Sequence, residues 1–270
     1  MTTIYDTFGP NLMHSALASS TEFICGTEYE IEDIKKCVFH GEGISISNLH
    51  DKDPYWSGDI GSMRDGSLRN NGAEFITKPV SYDRALVLFD EIHQGLTLGP
   101  EPYTARTSIH VHVNVASMNS AQVKLLLHTY ALLEPVFFHL AGAQRCHNIH
   151  CVPLTYTLMP TLYKDTLALI IERWSKYTAL NLCPIRTQGT IEFRHMHGTG
   201  DKDLYRLWLT LLHELWTFAF THPSMQLITW LKSGVSTKDI CKLVLPSSSN
   251  MFLDQLDFTS NRIDVKLGYL

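Results

Sequence analysis

Residues Ser108–Val115 read Ser-Ile-His-Val-His-Val-Asn-Val, with apolar and polar side chains alternating without a break. A period of two is the signature of a β-strand that buries one face only. Ile109, Val111, Val113 and Val115 must lie against a core, while Ser108, His110, His112 and Asn114 must face the other way. Strands of this kind belong to antiparallel sheets, which can leave one face polar. The pattern therefore asks the rest of the chain for an apolar layer on one side. On the other side it gathers polar side chains.

Three further stretches obey the same rule. In Glu22–Ile31, Phe23, Cys25, Thr27, Tyr29 and Ile31 share one face, and Gly26, Glu28 and Glu30 share the other. Two carboxylates that close repel unless a cation sits between them. Gly72–Pro79 is a short strand with Glu74, Ile76 and Lys78 on one face. Thr190–His197 alternates β-branched and aromatic residues with polar ones, and Glu192 and Arg194 project together. A salt bridge on a solvated face would explain that last pair alone. Four strands with the same kind of inventory ask for more. Tyr177–Leu182 reads as a strand joined to Thr190–His197 by a short loop, and Ile44–Leu49 as a short β-like piece. Asp51, Pro54, Gly58, Asp59 and Gly61, and the run Arg64-Asp65-Gly66-Ser67, mark turns.

Helices are expected at 81–94, with Ser81 as cap and Gly95 as stop, at 120–141, kinked at Pro135, at 161–176, and at 201–220 with Asp201 as cap. Long helices between antiparallel strands make an α+β fold. The expectation is a curved, largely antiparallel sheet of about six strands with helices on its outer face. Residues 1–20 read as an irregular arm, 21–220 as the main domain, and 221–270 as an extension with one or two short helices and a tail.

The chain has 270 residues, a net charge of −5 and scattered Lys and Arg, so no basic footprint for nucleic acid is present. No apolar stretch reaches the roughly 18 residues of a membrane helix. Met1–Ser20 lacks the basic and apolar regions of a secretory signal. The six cysteines form no regular framework, which points to reduced thiols and a cytoplasmic protein. Arg145–Cys151 packs two Cys and two His together, but at a spacing wrong for a zinc knuckle. It reads as a loop lining a site, with Arg145 as an anion clamp and Cys151 as a packed thiol.

Laid on one sheet, Glu28, Glu30, Glu74, His110, His112, Asn114, Glu192 and Arg194 bring carboxylates, imidazoles and a guanidinium to a shared face. Hard cations such as Mg²⁺ take oxygen ligands and bridge to phosphates. Arginine neutralises charge on a transferred phosphoryl group. ATP-dependent phosphoryl transfer needs this inventory.

These residues fall in motifs that resemble the amidoligases, a branch of the carboxylate–amine ligases built on the glutamine synthetase catalytic fold and common in phages and their hosts. The motifs are Gly26-x-Glu28-x-Glu30, Asp65-Gly66-Ser67, Gly72-x-Glu74, His110-x-His112-Val113, Arg145 with Asn148, Cys151, Pro153 and Leu154, Tyr177 with Asn181 and Leu182, and Gly189–Arg194. They run in order over about residues 22–215. The resemblance implies Glu28, Glu30, Glu74, His110 and Glu192 around metal, and His110, His112, Asn114, Arg145, Asn181 and Arg194 around nucleotide or substrate. Glu30, Glu192 and Arg194 would carry the catalysis. It implies ATP and Mg²⁺ as cofactors, and a small-molecule or peptide substrate whose carboxylate becomes an acyl phosphate before an amine attacks. It leaves open the identities of carboxylate and amine, and whether the chain forms an oligomer. A guanidino-kinase-like phosphotransferase, a metal-dependent hydrolase and an inactive nucleotide-binding module are the alternatives.

Overall fold

A computed structural model describes residues 2–9, 15–154, 162, 165–222, 235–251 and 253. Strands are β1 (Ile24–Ile31), β2 (Ile34–Phe39), β3 (Glu42–Gly43), β4 (Tyr55–Ser57), β5 (Ile60–Met63), β6 (Ala73–Thr77), β7 (Val80–Ser81), β8 (Leu96–Leu98), β9 (Ser108–Asn114), β10 (Leu180–Asn181) and β11 (Thr190–His197). Helices are α1 (Ile4–Phe8), α2 (Tyr82–Gly95), α3 (Ser120–Ala141), α4 (Leu167–Glu172), α5 (Lys202–Thr221) and α6 (Thr237–Val244).

Among the described residues, the main sheet has eight strands in the order β10-β11-β9-β1-β6-β5-β4, with β7 paired to the start of β1. Every pairing in it is antiparallel. The order is a path and not a ring, so the sheet is open. The fold is α+β. The sheet holds three strands that were not expected, the two of the hairpin β4–β5 and the two-residue β7, while the expected piece Ile44–Leu49 is not among its strands. The hairpin turns on Gly58-Asp59, with Gly58 at φ 63°, a left-handed conformation that glycine adopts without strain. Its strands are too short to show a period. A second sheet, β3-β2-β8, was hidden because Lys35 and Lys36 are both exposed and break the alternation of β2.

Alternation decides which face is buried. Tyr29, Phe75, Val111 and Phe193 lie against Phe89, Tyr130, Phe137, Tyr205 and Trp208 in one core. Phe89 stacks on Tyr205 at 4.7 Å, and Phe137 on Phe193 at 6.0 Å. The helices α2, α3 and α5 thus cover the apolar face, and the polar face is left to the acids and imidazoles.

Several expectations are corrected. Ile44–Leu49 contains a 3₁₀ turn at Ile46–Asn48 and no strand. The arm carries α1, whose amides at Ile4 and Tyr5 bond to the Met118 and Ala116 carbonyls. Ser81 is the N-cap of α2, but its side chain makes no capping bond. The helix α3 has its expected bounds with Pro135 inside it, and its cap is Asn119, paired reciprocally with Gln122. Of the expected helix at 161–176, the described residues show α4, where Thr166 Oγ1 accepts from the Leu169 amide, and Arg173–Lys176 lie beyond its end. Within 221–270 the described segment holds α6 and a short 3₁₀ turn; the expected tail, 254–270, lies outside the described residues.

Candidate active site

Three neighbouring strands build the site. In the paired register Glu28 faces His110, Gly26 faces His112, and Glu192 faces His112. Strand β9 therefore presents its two imidazoles between the carboxylates of β1 and β11. His110 Nδ1 stands 3.0 Å from Glu28 Oε2 and 3.5 Å from Glu192 Oε1. His112 Nε2 stands 3.1 Å from Glu28 Oε1, and its Nδ1 is hydrogen-bonded to Thr190 Oγ1 at 3.1 Å. Ligand atoms of Glu28, His112 and Glu192 all lie within 4.8 Å of one another, close enough to share one metal ion.

A second layer of acids flanks them. Glu30 and Glu74 are direct cross-strand partners. Ser108 donates to the Glu30 carboxylate and also bonds His110 Nε2 at 2.8 Å. Burial, then the charges of Glu28, Glu30, Asp65 and Glu192, pushes the Glu74 carboxyl up to about 8. Burial likewise raises Glu30. For Glu28 the outcome reverses. Burial alone would raise it, but the charges and hydrogen bonds of His112 and His110 hold it well below the usual carboxylate range. His112 is raised: burial opposes its charge, and Glu28 outweighs burial. The cluster thus sets four carboxyl groups, Glu28, Glu30, Glu74 and Glu192, around two imidazoles.

Glu192, only 4% exposed, is held from two sides. Arg194 Nη1 donates to Oε1, and Asn181 Nδ2 donates to Oε2 at 2.6 Å. Arg194 also donates through Nε to the His150 carbonyl at 3.1 Å, so the Arg145–Cys151 loop lies beside the site.

Three sequence-derived residues meet other partners. Asn114 shares the polar face but is buried. Its Nδ2 donates to the Leu17 carbonyl, and its Oδ1 accepts from the Ala116 amide. Arg145 is buried and donates to the carbonyls of His195 at 2.8 Å and Arg194 at 2.9 Å, where the pairing of β11 with β9 slips between Phe193 and Met196. The guanidinium fills the hydrogen-bonding gap that this β-bulge opens. Asn181 holds Glu192 and, through Oδ1, the Cys183 amide. Cys151 packs with Phe138 and Ala179, and burial, partly offset by Arg145 and Arg194, pushes its thiol up to about 11. The residues that sequence reasoning missed are Ser108 and Thr190 as imidazole partners. Both sit on the polar faces of their strands, which was the only available signal.

A family model described as "Putative amidoligase enzyme" matches residues 35–216, about two thirds of the chain. The matched span includes Glu74, His110, His112, Glu192 and Arg194 and starts after β1, so Glu28 and Glu30 lie just outside it. No curated protein matches the chain. A match over that span, with its strands meeting in the site just described, shows that the chain belongs to the amidoligase family.

Proposed function

We propose that this chain is an ATP- and Mg²⁺-dependent ligase that joins a carboxylate to an amine. The observation that carries the reading is the convergence of Glu28, His112 and Glu192 on one point, with Glu74 pushed up to about 8 by burial and then by neighbouring acids. Oxygen-rich sites suit hard divalent cations. Glu28 and Glu192 would hold the ion, Glu74 and Glu30 would border it, and His112 would reach it after releasing its proton to solvent. Mg²⁺, when bound, would neutralise phosphate oxygens.

The reaction balances without a side-chain nucleophile. A substrate carboxylate oxygen takes the γ-phosphoryl group and ADP leaves. The amine nitrogen then bonds to the acyl carbon, phosphate leaves, and the nitrogen loses a proton. In this reading Arg194, anchored by Glu192 and the His150 carbonyl, steadies charge on the phosphoryl group. Glu192 fixes Arg194, and Asn181 fixes Glu192.

One observation favours a second reading. An imidazole in the three-residue group suits softer metals than Mg²⁺, as a metal-dependent hydrolase would use. ADP release separates the two: the protein is incubated with Mg²⁺, ATP and a panel of amino acids, polyamines and peptides. Ligase chemistry requires ADP release that depends on both an acceptor amine and a carboxylate. It also requires its loss in Glu30→Gln and Arg194→Ala, with the fold intact by circular dichroism. Hydrolysis of the panel without ATP, sustained by zinc or manganese, would replace this reading with the second.

A further inference from the structure

The row of paired residues that carries Glu28 runs on past the acids. His110 is opposite Glu28, Glu28 opposite Ile76, Ile76 opposite Gly61, and Gly61 opposite Trp56. Residues directly opposite on antiparallel strands share a face. Trp56 therefore stands on the same polar face as Glu28, three strand spacings away, on the order of 14 Å.

Its indole reaches inward along that row. A β-carbon at Gly61 would lie 3.1 Å from Trp56 Cζ3, 2.9 Å from Ile76 Cγ1 and 3.2 Å from Pro54 Cβ. An edge of the ring thus reaches Gly61 beside Ile76, and only a residue without a side chain leaves room for it. In that position Trp56 remains 44% exposed. Lys78 Nζ stands over the ring, 5.6 Å from its centroid, donates to the Gly58 carbonyl at 2.8 Å and lies 3.9 Å from Asp59 Oδ1. A broad aromatic surface, a cation beside it and an acid–imidazole cluster at the far end of one row share a single face.

We propose that Trp56 is the platform on which the base of the nucleotide stacks. The proposal rests on the ligase reading above, and it adds an orientation: base towards the β4 edge, phosphates towards Glu28, Glu192 and Arg194. The row spans about the length of an extended nucleoside triphosphate. Aromatic stacking suits any base, because every base has a π-face.

The test is calorimetric titration of the full chain with ATP and, separately, with tripolyphosphate, each with Mg²⁺. Wild type, Trp56→Ala and Trp56→Phe are compared after a thermal melt confirms folding. The proposal expects Trp56→Ala to weaken ATP binding at least tenfold, about 1.4 kcal/mol, with tripolyphosphate binding unchanged. Trp56→Phe should retain most of the ATP affinity. Equal losses for both ligands, or no loss for either, overturn the platform. So does a wild type that binds tripolyphosphate as tightly as ATP, or a Trp56→Ala protein altered only in self-association during sedimentation. If wild type binds neither ligand, the ligase reading itself falls and the platform falls with it.

Discussion

Glu28 and Glu192 lie on strands that never touch, yet both stand beside the same atom, Nδ1 of His110, at 3.0 and 3.5 Å. The intervening strand β9 holds them apart and joins them at once. Its imidazoles separate two carboxylates that would otherwise repel. The same geometry brings Glu28, His112 and Glu192 within reach of one ion.

Half of the hold on Glu192 comes from Asn181, whose Nδ2 donates at 2.6 Å from the two-residue strand β10. Asn181→Ala leaves one oxygen of a buried carboxylate without that partner. Second-layer partners of this kind change metal affinity by about 10–100-fold, and an unsatisfied buried acceptor costs about 1–3 kcal/mol. The expected outcome is a loss of Mn²⁺ affinity and of urea stability in those ranges, read by titration and by equilibrium unfolding. Unchanged Mn²⁺ binding would show that Glu192 does not need the amide.

Arg145 is expected to matter to stability. Its guanidinium satisfies the two carbonyls at Arg194 and His195, where β11 leaves register. Arg145→Lys supplies a single ammonium where two spaced donors are needed. The expected cost is roughly 2–4 kcal/mol, from one or two stranded carbonyls. At this chain length that is on the order of 5–15 °C in Tm, measured by calorimetry. A Tm within a degree or two of wild type would contradict the role.

His195 sets a pH dependence. It is fully buried among Phe137, Phe138 and Trp208, bonds the Tyr130 hydroxyl through Nε2 at 2.7 Å, and has no partner at Nδ1 among the described residues. Burial, then the nearby Arg145 charge, holds its imidazole well below the ordinary histidine value. The unfolded chain takes up this proton near pH 6.5, where the folded protein does not. Stability is thus full above about pH 6.5 and falls with pH towards the folded value, by up to about 1.4 kcal/mol per pH unit. Unfolding free energies measured from pH 7.5 to 5.0 should fall in wild type. His195→Phe should flatten the slope by about one proton, and equal slopes in the two proteins would refute the assignment.

Much of this was legible because strand alternation leaves a direct trace. The runs around Val111 and Phe193 announce a buried face, and Glu28, His110, His112, Glu192 and Arg194 follow on the opposite one. What was hidden is set by geometry that no period encodes. The β-bulge draws Arg145 to backbone carbonyls. Asn114 turns to the Leu17 carbonyl of the arm, a long-range contact invisible from its own strand. Tyr55–Ser57 is too short to show a pattern, so the sequence marked only its turn and Trp56 went unremarked.

The most direct test is a crystal structure with Mg²⁺ and a non-hydrolysable ATP analogue. The account expects the metal between Glu28 and Glu192, with the terminal phosphoryl group beside Arg194. A nucleotide bound on another surface, or a metal held by other residues while Glu28, Glu192 and Arg194 keep their present partners, would contradict it.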